Sequence, residues 1–163
     1  MKKIDKPIVL LDMDGVIANF IEAVLFNLKR KAVSNPKFMT NGKFEDLQYR
    51  LWDKWNKHLD LGISDAEFWQ ATKTENFWEF IDPYYWASTL IHNLRQAGCH
   101  VLYATSPSLD SVCVSAKINW LRARGFMSEH ANDYVIGPHK YLMAPYPNLV
   151  LVDDSDDNVK VFE

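Results

Sequence analysis

Four short apolar runs divide this chain, and most of them are separated by stretches with helical periodicity. The runs cover residues 8–11, 100–105, 134–137 and 148–152. The first run is too short to cross a membrane and too apolar for an exposed strand, which is typical of a strand buried on both faces of a parallel sheet. Strands that alternate with helices predict an α/β fold, a Rossmann-like parallel sheet flanked by helices with right-handed crossovers.

Helices are indicated where apolar positions recur at helical spacing between start and stop signals. Proline or a capping residue precedes such a stretch, and a glycine or proline follows its end. We expect helices over residues 16–31, from Asp82–Pro83 through Ala97, and from a cap at Ser108 or Asp110 to Gly125.

The stretch over residues 34–80 differs from the rest of the chain. Two short helical patches, at 44–59 and 65–73, lie among turn signals, and no strand-like alternation persists. We therefore predict an α/β core built from residues 1–33 and 81–163, with residues 34–80 inserted after the first strand as a small helical cap. Aromatic residues make up 13% of the chain and concentrate in this cap, where most of them are expected to fill its own small core.

Length and charge narrow the classes of protein that fit. A chain of 163 residues with 48% hydrophobic content can fill one core and a modest insertion. Its net charge of −3 argues against a protein that binds nucleic-acid backbones or anionic membranes. We expect no membrane partner and no stable nucleic-acid partner, whereas a small phosphorylated substrate remains compatible because a few local cations can bind it.

The cysteines and histidines give no sign of a disulfide framework or a zinc site. Cys99 and Cys113 form no CxxC pair, and the five histidines lack zinc spacing. The basic start of the chain does not have the pattern of a signal peptide. We therefore expect reduced thiols and a cytoplasmic protein.

Polar groups follow three of the four predicted strands, and a lysine lies between the last two strands. In an open parallel sheet, groups at the carboxyl ends of the strands converge on one crevice. Taken one at a time, each has an ordinary explanation as a turn residue, a helix cap or a solvated lysine. Coincidence is a poor explanation for so many such groups in order along the chain. The set consists of Asp12, Asp14, Thr105, Ser106, Lys140, Asp153 and Asp154.

This set resembles the motifs of the haloacid dehalogenase (HAD) superfamily of phosphohydrolases. Within it, the stretches at 12–20, 104–107 and 151–154 are most similar to the 5′(3′)-deoxyribonucleotidases. The resemblance covers the predicted core from end to end and implies a HAD-type sheet with a cap. It also implies a phosphatase that hydrolyses (deoxy)nucleoside monophosphates to nucleoside and phosphate with the help of Mg²⁺.

The resemblance assigns roles to the four aspartates. Asp12 would be the nucleophile that forms an aspartyl-phosphate, and Asp14 the general acid and base. Mg²⁺ would be bound by the Asp12 carboxylate, the Asp14 backbone carbonyl and Asp154, with Asp153 close by. Which of Asp153 and Asp154 contacts the metal directly is left open.

Other residues would bind the substrate. Thr105 or Ser106 would hold phosphate oxygens, and Lys140 would offset the charge that develops in the transition state. Lys117 is a second candidate cation, with a solvated helix lysine as an equally weighted alternative. Phe20 is the first candidate for stacking on a nucleobase, and Phe44 and Trp78 are further candidates from the cap.

Three alternatives to a nucleotidase remain at this point. The first is a phosphatase of the same superfamily that acts on another small phosphate ester. The second is a non-catalytic nucleotide-binding protein, which the presence of both Asp12 and Asp14 argues against. The third is a nucleic-acid 3′-phosphatase, which the net charge disfavours. The oligomeric state is left open, with a homodimer as one alternative.

Overall fold

A computed structural model describes residues 6–34, 64–70, 72–73, 75–108 and 111–162 of the chain. The helices and strands are numbered along these described residues. The strands are β1 (Ile8–Leu11), β2 (His100–Thr105), β3 (Tyr134–Ile136) and β4 (Leu149–Val152). The α-helices are α1 (Phe20–Ser34), α2 (Asp65–Gln70), α3 (Glu75–Glu79), α4 (Ala87–Gln96), α5 (Ser111–Ala123) and α6 (Asp156–Phe162), and a 3₁₀ helix spans Lys140–Met143.

The described strands form a parallel sheet in the order β3-β2-β1-β4. This confirms the predicted α/β fold and all four predicted strands. β1 lies between β2 and β4, with Leu11 opposite Tyr103 on one side and Val152 on the other. β2 and β3 extend the sheet on one side of β1, whereas β4 lies on its other side. This change of side makes the carboxyl end of β1 the switch point at which ligands bind in such sheets.

The burial of β1 explains why this strand lies in the middle of the sheet. Leu10 and Leu11 are fully buried, and Val9 is nearly so. A strand that is apolar at consecutive positions can be stable only where both of its faces are covered. The chain therefore places the strand that precedes Asp12 at the centre of the sheet.

The helix predicted over 16–31 begins four residues later than expected, at Phe20. Residues 13–18 instead form a tight turn in which the Met13 carbonyl accepts hydrogen bonds from the amides of Val16, Ile17 and Ala18. The apolar spacing of these residues is helical, but their amides are bonded to a single carbonyl. The helix predicted from Asp82–Pro83 likewise begins later, at Ala87, and ends near the expected Gly98.

Three described elements were not predicted from the sequence. They are the helix α3, the 3₁₀ helix at Lys140–Met143 and the helix α6. Ser155 precedes α6, and its hydroxyl oxygen accepts a hydrogen bond from the Asn158 amide at 3.4 Å, as an N-cap residue does. All three elements are short, and their apolar residues are too few to produce a periodic signal.

The chain groups into two compact units, and the divisions fall after Ala18 and after Asp82. The unit of residues 19–82 thus includes α1, whereas the predicted cap began at residue 34; the predicted cap boundaries remain a prediction. The helix predicted at 44–59, the stacking candidate Phe44 and the capping candidate Asp110 lie outside the described residues. No helix in the described part of the chain is long and apolar enough to span a membrane.

Phe20 lies in an aromatic cluster within the unit of residues 19–82. Its ring centroid is 5.6 Å from that of Trp78 in a stacked arrangement and 5.7 Å from that of Phe77 in an edge contact. Phe68 and Trp69 lie 6.5 and 6.3 Å away. Phe20, Phe68, Phe77 and Trp78 are buried, so these large rings form a core for this unit.

The burial of Phe20 makes a stability prediction with a matched control on the same helix. Phe20 is 1% exposed and Phe26 is 61% exposed. We expect Phe20→Ala to lower the free energy of unfolding by about 3–5 kcal/mol, because it leaves a cavity among the rings. Phe26→Ala should change it by less than about 0.5 kcal/mol. Urea denaturation measures both, and equal losses would contradict the cluster as the core of this unit.

Candidate active site

Asp12 lies directly after the central strand, between the ends of its two neighbours. Its backbone N–H donates to the Val152 carbonyl at 2.9 Å, which continues the pairing of β1 with β4 by one residue. On the other side, the N–H of Gly137 donates to the carbonyl of Thr105, the last residue of β2, at 3.0 Å. The polar residues after β1, β2 and β4 therefore meet at one edge of the sheet, as the sequence predicted.

Lys140 joins two of the predicted aspartates. It begins the 3₁₀ helix and is only 5% exposed. Its Nζ lies 2.6 Å from Asp12 Oδ1 and 2.6 Å from Asp153 Oδ2. A buried ammonium group needs such partners, because a charge without them is strongly destabilising in the interior.

The other carboxylate oxygen of Asp153 is also bound. Asp153 Oδ1 accepts hydrogen bonds from the Ser155 amide at 3.0 Å and from Asn158 Nδ2 at 2.9 Å. Sequence analysis did not identify Ser155 or Asn158. A signal was present, since an aspartate that precedes a helix often accepts a hydrogen bond from the amide two residues later.

Lys117 is buried in the same region, which excludes the alternative of a solvated helix lysine. It is on α5, is 2% exposed, and donates to Asp14 Oδ2. Its Nζ also donates to Thr105 Oγ1 at 2.7 Å and to the Ser106 carbonyl at 3.1 Å. The two lysines are thus divided between the two aspartates of the first motif, Lys117 on Asp14 and Lys140 on Asp12.

The two hydroxyl candidates differ in exposure. Thr105 is buried, and its hydroxyl oxygen accepts the hydrogen bond from Lys117. Ser106 is exposed, and its hydroxyl donates to the Gly137 carbonyl at 3.4 Å, a long hydrogen bond that is easily exchanged. Of the two side chains, Ser106 is therefore the one that an incoming anion reaches more readily.

Three carboxylates at this edge could bind a metal ion. Oxygens of Asp12, Asp153 and Asp154 all lie within 4.8 Å of one another. Burial raises the pKa of Asp12 to about 8 in spite of Lys140, and the nearby Asp14 and Asp153 carboxylates raise it further. Burial, followed by the charge of Asp153, raises the pKa of Asp154 to about 6. Burial lowers the pKa of Lys140, but the Asp12 and Asp153 carboxylates outweigh it, so that the net shift is upward.

This donor set fits Mg²⁺, which prefers carboxylate and carbonyl oxygens. The raised pKa values of Asp12 and Asp154 indicate that the cations of the protein alone do not fully stabilise their ionised forms. A divalent cation among the three carboxylates would favour those ionised forms. The side chain of Asp14 is bound by Lys117 instead, which is compatible with its predicted contribution through the backbone carbonyl.

Gly15 allows the turn after Asp14 to approach Asp154 closely. Its φ is +81°, a conformation that favours glycine. A Cβ at this position would lie 2.0 Å from Asp154 Oδ2. No side chain larger than hydrogen fits there unless the turn or Asp154 moves.

Phe20, the first stacking candidate, lies in the aromatic cluster of the unit of residues 19–82. Its 1% exposure favours a packing role. Contact between Phe20 or Trp78 and a substrate stays a prediction.

Comparison with known proteins identifies the family. A family model described as "5′ nucleotidase, deoxy (Pyrimidine), cytosolic type C protein" matches residues 6–163. The chain belongs to this family. No curated protein gave a significant match.

The family assignment confirms the resemblance to HAD-type deoxyribonucleotidases, and it identifies the protein as an enzyme. Members of this nucleotidase family are phosphoric monoester hydrolases. The alternative of a non-catalytic nucleotide-binding protein is therefore set aside. The aspartates and lysines at the carboxyl edge of the sheet are the candidate catalytic groups of this nucleotidase.

The contact of Gly15 with Asp154 can be tested with a matched glycine. Gly98 also has a positive φ, of +83°, but a Cβ there meets nothing within 4 Å. Alanine at either position should cost about 1–2 kcal/mol of stability through backbone strain. Only Gly15→Ala displaces Asp154, and we expect it to lower kcat of the nucleotidase by about a hundredfold.

The measurements are kcat for phosphate release and the free energy of unfolding of both variants. Gly98→Ala should retain the parental kcat. Parental kcat in Gly15→Ala would contradict the close approach of the turn to Asp154.

Proposed function

We propose that this enzyme hydrolyses (deoxy)nucleoside monophosphates to nucleoside and phosphate, with Mg²⁺ and through an aspartyl-phosphate intermediate. The observation that carries the proposal is the separation of the two aspartates of the first motif. Asp12 is paired with Lys140, and Asp14 with Lys117. Two carboxylates in different surroundings can have different roles, one as nucleophile and the other as acid and base.

Asp12 is the proposed nucleophile. Its carboxylate oxygen attacks phosphorus, a bond forms between them, and the bond from phosphorus to the nucleoside oxygen breaks. Lys140 lies 2.6 Å from Asp12 and orients this carboxylate, while Asp153 fixes Lys140 from the other side. Water then attacks the aspartyl-phosphate, which releases phosphate and restores the Asp12 carboxylate.

Asp14 is the proposed general acid and base. It donates a proton to the departing nucleoside oxygen, and in the second step it takes a proton from the attacking water. Lys117 donates to Asp14 Oδ2 and restricts the orientation of this carboxyl group. The same lysine also contacts Thr105, so one cation connects the acid and base to the predicted phosphate-binding residues.

Phosphate binding is assigned to Ser106 and Thr105 together with the two lysines. A phosphate group accepts several hydrogen bonds, and charged donors contribute most to its binding. Lys117 and Lys140 are the described cations at this edge, and both are buried. Burial strengthens their interaction with a charged substrate, because water screens it less.

Metal binding is assigned to Asp12, the Asp14 carbonyl, Asp154 and the neighbouring Asp153. Both oxygens of Asp153 already accept hydrogen bonds, so we propose Asp154 as the direct ligand and Asp153 as the residue that orients Lys140. Held by these groups, Mg²⁺ would supply positive charge that favours the ionised nucleophile and offsets the charge of the substrate phosphate. The fit of three carboxylates within 4.8 Å supports this assignment.

Specificity for nucleotides over other small phosphate esters is supported by the family assignment. A ring that stacks on the base would add on the order of 1–3 kcal/mol to binding. A cytoplasmic location is proposed on the family's description as cytosolic and on the free thiols of Cys99 and Cys113. The oligomeric state stays open, with a homodimer as one alternative.

A substrate panel with and without Mg²⁺ tests the proposed activity. We expect phosphate release from deoxynucleoside monophosphates to exceed that from sugar phosphates by about tenfold or more, since base contacts add to the phosphate contacts. Removal of Mg²⁺ with EDTA should abolish turnover, and added Mg²⁺ should restore it. Phosphate release is measured for each compound at matched concentrations.

The outcomes of the panel distinguish the proposed nucleotidase from its alternatives. Equal rates for nucleotides and sugar phosphates would favour a broad phosphatase of the same superfamily. Full activity in EDTA would refute the assigned metal requirement. Preference for a phosphorylated oligonucleotide over mononucleotides would favour a nucleic-acid phosphatase.

A further inference from the structure

The segment just before α4 contacts the turn that carries Asp14. Trp86 Nε1 donates to the Val16 carbonyl at 2.9 Å, across seventy positions of sequence. The neighbouring Tyr84 amide donates to the Ile17 carbonyl at 3.0 Å, and Ala18 forms a bridge with Pro83. The turn is therefore bound along one side by residues 83–86.

The turn itself is closed mainly by its own backbone. The amides of Val16, Ile17 and Ala18 all donate to the Met13 carbonyl, and the Gly15 amide donates to the Ala18 carbonyl. The hydrogen bond from Trp86 differs because it is made by a side chain from a distant part of the chain. It fixes the peptide between Val16 and Ile17, one residue beyond Gly15, and Gly15 is the residue that lies against Asp154.

The indole of Trp86 is held in place by its neighbours. The ring of Tyr84 stacks on it with a centroid distance of 4.3 Å and an interplanar angle of 9°. Tyr85 contacts it edge-on, with a centroid distance of 4.8 Å. An aromatic side chain has few rotatable bonds, so these two contacts leave its N–H directed at the Val16 carbonyl.

We propose that Trp86 is a positioning residue for the reaction. Its hydrogen bond to Val16, with Tyr84 stacked behind it, sets the position of the Asp14–Gly15 segment relative to Asp154. This inference rests on the proposed role of Asp14 as acid and base. Trp86 acts through the turn, and nothing in its role requires contact with the substrate.

The position of this segment matters because two proposed groups depend on it. The Asp14 side chain must reach the departing oxygen, and the Asp14 carbonyl must face the metal site. Displacement of a catalytic group by about 1 Å can lower a rate by about a hundredfold. Loss of a single supporting hydrogen bond allows a smaller displacement, so we expect an intermediate effect.

The test replaces Trp86 with phenylalanine, which retains an aromatic ring beside Tyr84 and removes the N–H donor. The matched control is Tyr103→Phe. The Tyr103 hydroxyl donates to the Phe126 carbonyl at 2.6 Å and accepts from Arg95 Nη2 at 3.3 Å. This variant therefore also removes a side-chain hydrogen bond to a backbone carbonyl, together with the one from Arg95. Tyr103 is opposite Leu11 in the sheet, and its hydroxyl is bonded to Phe126 and Arg95, which lie outside the turn.

Two measurements are made on both variants. Turnover of p-nitrophenyl phosphate reports phosphatase chemistry without a nucleobase, and hydrogen exchange of the peptide over residues 12–20 reports the turn itself. In Trp86→Phe we expect kcat to fall about tenfold with KM nearly unchanged, and exchange of the turn amides to become roughly fivefold faster. Tyr103→Phe should leave both kcat and turn exchange at parental values.

The results distinguish this inference from the proposed function. If kcat and turn exchange of Trp86→Phe match those of the parent, the positioning role is wrong. If both variants lose kcat in equal measure, Trp86 has only a general effect on stability. If the parent does not hydrolyse p-nitrophenyl phosphate or any nucleotide, the proposed function is wrong, and turn exchange alone still decides whether Trp86 positions the turn.

Discussion

This site holds several negatively charged carboxylates close together at the carboxyl edge of a parallel sheet, and their mutual repulsion must be offset. Asp12, Asp14, Asp153 and Asp154 follow β1 and β4, and Lys140 and Lys117 are the buried cations that contact them. Four carboxylates and two ammonium groups leave an excess of two negative charges. Burial is the main cause of the raised pKa values of Asp12 and Asp154, and the neighbouring carboxylates raise them further. A divalent cation would offset the excess negative charge.

The same charges explain how neighbouring aspartates can have different functions. Asp12 and Asp14 are separated only by Met13, yet they contact different lysines from different elements. The turn at residues 13–18 makes this possible, because it directs the two side chains to different partners. Gly15 is needed for that geometry, since its left-handed backbone brings the turn against Asp154 without a side chain between them.

Sequence reasoning identified the sheet and the groups at its edge for a physical reason. Buried strands are apolar at consecutive positions, and the polar residues that end them are therefore conspicuous. Lys140 was identified because it lies between two such strands. The sequence alone does not decide between a solvated and a buried Lys117, because its burial depends on the packing of α5 against Thr105 and Asp14, which no local pattern shows.

Other parts of the structure depend on contacts that the sequence does not display. The predicted start of α1 is too early, because the apolar residues of the turn have helical spacing although their amides donate to a single carbonyl, that of Met13. Ser155 and Asn158 support Asp153 through the short helix α6, whose few apolar residues give no periodic signal. Phe20 is a stacking candidate from its place in the motif, whereas its burial depends on packing against Phe77 and Trp78.

The proposed attack of Asp12 on the substrate phosphorus can be followed by mass spectrometry of the enzyme, quenched in acid during turnover of a deoxynucleoside monophosphate with Mg²⁺. We expect a phosphorylated peptide with the phosphate on Asp12, and no such peptide from Asp12→Asn. Phosphate on another residue, or undiminished turnover by Asp12→Asn, would contradict it.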